Sequence, residues 1–209
     1  AIDNKEKICI YGDYDVDGIT SITIMYQFLT NLGADVEYYL PDRLIEGYGV
    51  NNKALDEIKS RNCTLVITVD CGITAIEETS YAKSIGLDMC ITDHHECSDI
   101  LPDAIAIVNP KRKDDTSSFK MHAGVGVAFK CIMEIAKKYM LPEESYLKYL
   151  DIVAIGTISD IVPLLDENRI ISKYGLEKMK HTENIGLKAL LEILSFKDID
   201  STMVSFGVA

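Results

Sequence analysis

Three carboxylates crowd into five positions at Asp13-Tyr14-Asp15-Val16-Asp17, between Gly12 and Gly18. Side chains of that type at that spacing suit the holding of a divalent cation. Like charges so close raise one another's pKa values and cost stability unless a cation sits among them. If the chain stays extended through this stretch, alternation puts Asp13, Asp15 and Asp17 on one side. An EF-hand calcium loop opens with the same Asp-x-Asp-x-Asp-Gly pattern. That reading fails at the closing position, which is Ile24 rather than Glu. It also fails upstream, where Lys7-Ile8-Cys9-Ile10-Tyr11 reads as a buried strand instead of a helix. An acidic, solvated turn is the alternative that needs no ligand.

Side chains of the same chemistry recur downstream. Asp70 directly follows the apolar run Leu65–Val69, and Asp93-His94-His95-Glu96 follows Leu87–Ile91 after a single Thr. Asp160 lies within Ile155-Gly156-Thr157-Ile158-Ser159-Asp160-Ile161-Val162-Pro163-Leu164. An Asp in so apolar a setting needs an ion pair, a hydrogen bond or a metal, because a bare buried carboxylate is costly. A helix-end cap before Pro163 explains it equally well. Carboxylates alone suit magnesium or calcium, and an added imidazole shifts the preference toward manganese or a similar transition metal. Asp70, central in the sequence and leaving a strand end, is the candidate to bridge two ions. Two bridged ions activate water, clamp the in-line oxygens of a phosphoryl group and neutralise charge in the transition state. Phosphoester hydrolysis is the reaction that follows.

The elements that must position these residues alternate along the first half of the chain. Strands are expected at Ile8–Tyr11, Ala34–Leu40, Leu65–Val69, Leu87–Ile91 and Ala104–Val108. Helices are expected from Ile19 to Leu32, about Asn52 to Arg61, and Ala75 to Ser84. Such alternation predicts an α/β fold, a parallel β-sheet flanked by helices with right-handed crossovers. Its active crevice then lies at the carboxyl ends of the strands, where the acids and imidazoles occur. From Ala123 onward a mainly helical C-terminal portion is expected, with helices over 125–139, 143–159, 168–180 and 187–194. Residues 1–122 thus read as an α/β metal-binding part and 123–209 as a helical part of the same catalytic core. Met203 to Ala209 read as the start of another element, as in a fragment of a longer protein.

Composition narrows the class. The 209 residues, 47% hydrophobic and 26% charged, predict a soluble globular chain long enough for a proper core. No apolar run approaches the ~20 residues of a membrane span and no signal-peptide pattern opens the chain, so a cytoplasmic location is expected. Six cysteines form no CxxC pair and read as reduced core residues. A formal net charge of −12 argues against gripping nucleic acid through a broad basic surface, while leaving open a phosphate substrate held by metal ions.

Other motifs carry less. Gly124-Val125-Gly126-Val127-Ala128-Phe129 lacks the third glycine of a dinucleotide fingerprint. Its glycines would serve either close helix packing or the cradling of a phosphate at a helix start. No P-loop pattern occurs. His122 and His181 sit in polar surroundings and read as surface residues, and Arg43, Lys111 and Arg112 read as loop charges within possible reach of substrate phosphates.

Taken together, Gly12-Asp13-Tyr14-Asp15-Val16-Asp17-Gly18-Ile19-Thr20-Ser21, Val69-Asp70-Cys71-Gly72, Thr92-Asp93-His94-His95-Glu96 and Gly156–Leu164 resemble the four motifs of the DHH phosphoesterases. The first and last resemble the RecJ branch. The resemblance implies a manganese- or magnesium-dependent exonuclease that degrades single-stranded DNA from the 5′ end, a DNA repair and recombination activity. It also implies that Asp15 holds a first ion, that Asp17, His94 and Asp160 hold a second, and that Asp70 is shared. His95 would face the scissile phosphate and Asp93 would orient a neighbouring imidazole. Small-molecule members of the superfamily carry a histidine where this chain has Tyr11, and Asp13 is the candidate to compensate. Two alternatives remain on the same motifs: a phosphodiesterase of short oligonucleotides or cyclic dinucleotides, and a non-catalytic scaffold related to RecJ.

Overall fold

The computed structural model describes residues 1–194 and 199–208. Strands β1 (Ile8–Gly12), β2 (Val36–Tyr39), β3 (Leu65–Val69), β4 (Asp88–Thr92) and β5 (Ala106–Val108) form one parallel sheet in the order β2-β1-β3-β4-β5. Helices α1 (Val16–Asn31), α2 (Asn52–Ser60) and α3 (Ile76–Ser84) connect the first four strands. After the sheet come α4 (Gly124–Lys138), α5 (Glu144–Leu147), α6 (Leu150–Ser159), α7 (Asp166–Met179), α8 (Ile185–Leu194) and α9 (Ser201–Met203), then a π-helical turn over Val204–Val208. The α/β class and the helical second half are as the sequence predicts. The element expected over 203–209 exists to Val208, and Ala209 lies outside the described residues. Among the described residues no helix is long and apolar enough to cross a membrane.

Alternation along β1 divides the core into two layers. Ile8 and Ile10 join a cluster with Ile24, Phe28, Val125, Phe129, Val153 and Ile158 on the α1, α4 and α6 side. Cys9 and Tyr11 face the other way, onto Leu55, Ile58 and Ala82 of α2 and α3. A strand covered on both faces reads as a continuous apolar run rather than an alternating one, which is why Ile8–Tyr11 and Leu65–Val69 are so legible. Tyr11 stacks on Tyr39 at 5.4 Å between centroids, and its hydroxyl donates to the Gly49 carbonyl at 2.8 Å.

Register places the strand ends level. Gly12 pairs with Val69, Val69 with Thr92, and Thr92 with Val108, so Asp13, Asp70, Asp93 and Asn109 each stand one residue past the same row. The sheet order reverses between β1 and β3, since β1 leads outward to β2 while β3 and β4 continue the other way, and a crevice opens at such a point.

Two expectations change here. Residues 143–159 are not one helix: α5 ends at Leu147 and α6 begins at Leu150. Tyr146 and Tyr149, on either side of the break, both lie in the core beside Ile152 and Val153. His122 is not a surface residue. It is buried beside Phe119, with ring centroids 4.8 Å apart, just before the buried start of α4, while Met121 next to it stays exposed. His181 is exposed as expected, and all six cysteines are free thiols.

Candidate metal centre

The acidic stretch does not stay extended. At Asp15 the chain turns into α1, and the Asp15 carboxylate caps the helix by accepting the Gly18 N–H at 2.9 Å. Asp17 therefore lies in the first helical turn, on a different face from Asp13 and Asp15. Gly18 is required by the turn itself: a Cβ there would stand 2.7 Å from the Asp13 backbone N and C. The expected one-sided row of three carboxylates is thus replaced by a split. Asp13, Asp15 and Asp70 offer oxygens within 4.8 Å of one another, while Asp17 groups with His94 and Asp160 within the same limit.

Asp70 and His94 join the two sets. The Asp70 Oδ1 lies 3.1 Å from His94 Nε2, which is also 3.8 Å from Asp17 Oδ2, and His94 Nδ1 is 3.7 Å from Asp160 Oδ2. Neither Asp70 Oδ1 nor His94 Nε2 has an aligned hydrogen-bond partner, although both atoms are buried. Buried polar atoms are normally satisfied, and a pair left open in one cluster of acids calls for a ligand that both can reach. Asp70 itself adopts a left-handed backbone conformation, φ 60°, of the kind that concentrates at functional sites.

Electrostatics point the same way. Burial, then Asp15, Asp93, Asp160 and Asp13, push the Asp70 carboxyl up to about 9. Burial, and then the charges of Asp70 and Asp160, raise Asp17 well above the carboxylate range. Burial also raises Asp13 and Asp160. Acids packed to mutual disadvantage with an imidazole among them form the donor set of a manganese- or magnesium-like ion, and the open Asp70 and His94 atoms fit one.

Asp93 is built differently. Burial would raise its carboxyl, but hydrogen bonds from the His95 ring, the His95 amide and the Ile73 amide outweigh it and hold the pKa below the usual range. Its Oδ1 sits 2.7 Å from His95 Nδ1, and Oδ2 accepts the Ile73 N–H at 2.9 Å. Asp93 therefore fixes the His95 ring instead of joining either acid set. His95 is 43% exposed at the mouth, edge-on to Tyr48 with centroids 6.0 Å apart.

Asp160 ends α6 as its C-terminal cap residue and lies near His94 as well, so the capping and clustering readings hold together. The structure also brings in one helix start that the sequence reading gave another use and one residue, Asn109, that it passed over. The Gly124 and Val125 amides at the start of α4 donate to Asp17 at 2.6 and 2.8 Å, so that helix start holds a carboxylate of this chain rather than cradling a phosphate. Asn109 steadies the far side by donating to the His95 carbonyl at 3.0 Å. Its place after β5, level with Asp70 and Asp93, was the available signal. Lys111 and Arg112 pair with Glu96 and Asp114, and Arg43 lies over the Tyr14 ring.

Comparison with known proteins matches this arrangement to one family. The model of the DHH family, N-terminal domain, matches residues 7–157. The single-stranded-DNA-specific exonuclease RecJ of Bacillus subtilis is 51% identical over 193 residues, covering 92% of this chain and 24% of that protein. A crystal structure of exonuclease RecJ bound to manganese superposes with a TM-score of 0.90 at 35% identity, covering all of this chain and 52% of that one. The Thermus thermophilus RecJ complex with Mn2+ gives 0.85 at 31% identity over 30% of its chain. The chain thus spans about a quarter of that curated relative. Strand-end acids at the β1–β3 reversal, the Asp-His-His after β4 and the matching fold place one conclusion beyond the single motifs: the chain belongs to the DHH family, in its RecJ-like form.

Proposed function

We propose that the chain is the catalytic core of a metal-dependent phosphodiester hydrolase, a single-stranded-DNA-specific 5′-3′ exonuclease that uses two manganese or magnesium ions. The observation that carries it is the pair of ligand sets, Asp13/Asp15/Asp70 and Asp17/His94/Asp160, meeting where Asp70 Oδ1 lies 3.1 Å from His94 Nε2. In this reading Asp15 and Asp70 hold one ion, and Asp17, His94 and Asp160 hold the other with Asp70 shared. Asp13, the third member of the first set, compensates for the histidine that small-molecule members carry where this chain has Tyr11. When bound, the ions supply Lewis-acid activation of water and neutralise charge on the phosphoryl oxygens.

The chain's own residues do the rest. Asp93 holds the His95 imidazole at the mouth, where it meets the scissile phosphate, and Asn109 fixes the backbone beneath it. The Gly124 and Val125 amides aim Asp17. Residues 1–122 and 123–209 act as one catalytic core, a reading supported by α4 and α6 sharing the apolar cluster of β1 and α1. Work in DNA repair and recombination, in the cytoplasm, is the setting assigned in this reading; the RecJ similarity supports the first and six free thiols suit the second.

The test is release of label from a 5′-labelled single strand and from a matched dinucleotide with added manganese, in the parent and in Asp70→Asn and His94→Ala. Manganese-dependent release from the longer strand, lost in both variants, is the expected result. Cleavage of the dinucleotide alone would favour a small-substrate phosphodiesterase, and no metal-dependent change of any kind would favour a scaffold.

A further inference from the structure

Gly124 touches both ligand sets at once. Its N–H and that of Val125 donate to the two oxygens of Asp17, Oδ2 and Oδ1 respectively. On its other side, a Cβ added at Gly124 would stand 2.6 Å from the Asp70 Cβ and Cγ and closer still to Oδ1, the atom that is buried without a hydrogen-bond partner. Real Cβ atoms do not approach so near, and neither neighbour can yield easily. Asp70 is 2% exposed and fixed between β3 and β4, its N–H donating to the Thr92 carbonyl at 3.0 Å. Gly124 is fixed by a fifteen-residue helix whose next residues, Val125 and Ala128, are fully buried.

We infer that Gly124 is a positioning residue that sets the spacing between the two ligand sets, by aiming Asp17 through the first turn of α4 while leaving Asp70 the volume of a missing side chain. The inference rests on the two-ion reading above. The conformation does not demand glycine here. The α4 backbone at Gly124 is helical, without positive φ, and alanine is the better helix former. Close approach to Asp70 is the reason for the residue type. Gly126, two residues on in the same helix, gives the contrast, since a Cβ there meets the His122 side chain first, 3.1 Å from Nδ1 and 3.3 Å from Cβ, outside the distance that real Cβ atoms never show and away from both ligand sets.

The experiment is manganese titration of metal-free protein followed by electron paramagnetic resonance, which reads both the number of bound ions and their magnetic coupling. The parent is expected to bind two coupled ions. Gly126→Ala should do the same. Gly124→Ala should keep the fold by circular dichroism but weaken one ion by roughly 10- to 100-fold, the usual effect of losing a group that orients a ligand, and lose the coupling signature. Wild-type stoichiometry, affinity and coupling in Gly124→Ala would overturn the inference. A parent that binds no manganese would instead overturn the two-ion reading on which it rests. Should Gly124→Ala fail to fold, Asp70→Gly provides the second arm, since glycine suits φ 60° and removes the atoms in the way. Gly124→Ala should then fold and melt like its Asp70→Gly parent, and failure to fold in that background too would overturn the inference.

Discussion

Asp70 concentrates the cost of the site in one residue: buried, left-handed in backbone, one oxygen unpartnered, and its carboxyl pushed up to about 9 chiefly by burial. A folded-state pKa above the unfolded one means that the metal-free fold binds a proton the unfolded chain lacks between about pH 4 and 9. Stability therefore falls as pH rises through that window, and Asp17 shifts in the same direction. Metal-free protein should melt lower at pH 8.5 than at pH 6, while the rise in melting temperature on adding manganese should grow over the same interval, because the ion competes with those protons. A flat manganese effect across that range would contradict this. Asp70→Asn removes the conflict along with the ligand. Its metal-free form should gain about 1–2 kcal/mol at pH 8, roughly 2–4 °C per kcal/mol for a chain of this size, and should lose the manganese-induced shift; a lower melting temperature without metal would refute it. Asp93 makes the opposite case. Its carboxylate is held ionised and holds His95, so Asp93→Asn should lower kcat roughly 10- to 100-fold while manganese binding by calorimetry stays at the parent level. Most of these residues were legible because an apolar run ending in Asp or His needs no tertiary knowledge to be placed at a strand end. The division of Asp15 from Asp17 was implied by the family resemblance but not by alternation, since it depends on which residue begins α1, and one residue of helix turns a side chain by about 100°. His122 was misread because it was grouped with the polar loop Lys111–Ser118 before it, whereas Phe119 and the start of α4, close on either side in sequence, are what cover it.

Among the elements, α1, α4 and α6 converge at the β1–β3 crevice, and small residues let them do so. Gly156 in the middle of α6 faces α1 so closely that a Cβ would stand 2.8 Å from Val125 Cγ1 and 3.0 Å from Asp17 Oδ1, and nearer still to Thr20 Oγ1. The Thr20 hydroxyl cannot swing away freely, because it donates to the Val16 carbonyl at 2.7 Å. Gly156→Ala should cost about 1–3 kcal/mol by overpacking, measured as a drop in urea midpoint, with part of the loss recovered when Thr20→Ala is added. An equal loss in both backgrounds would show that Thr20 is not the obstacle. Helical periodicity announced α1, α2, α4 and α7 to within a few residues, since each buries a stripe against the sheet or a neighbouring helix. What periodicity could not supply is contact between elements. The run 143–159 looked continuous because Tyr146, Tyr149, Ile152 and Val153 keep a helical rhythm, and that rhythm carries no sign of the break between α5 and α6. The α4 amides that hold Asp17 are backbone groups, and no residue type advertises them beyond glycine at a helix start.

At the scale of the whole molecule, the charge of −12 stands against the proposed nucleic-acid substrate, and the distribution of cations does not reverse it. The loop cations on the β5 side are occupied: Lys111 with Glu96, Arg112 with Asp114, Lys113 with Asp99, and Lys120 with Asp115. Arg43 lies over Tyr14. A nucleic-acid strand held along a basic groove releases counterions at each phosphate, and for single strands log K falls with log salt at a slope of about −0.7 per contact. A site whose attraction for phosphate comes from bound cations within one crevice engages few phosphates. These 209 residues should therefore hydrolyse short oligonucleotides with a rate constant kcat/KM that changes little from a five-nucleotide to a fifty-nucleotide strand. Its salt slope should be shallow, roughly −1 to −2, as one to three contacts give. They should also release a long strand after one or a few cleavages, so that a trap of unlabelled DNA added with manganese stops digestion early. Steep salt dependence together with trap-resistant digestion of long strands would mean that the chain carries a strand-gripping surface of its own, and the acidic charge balance would then have to be offset by cations that the paired loops do not provide.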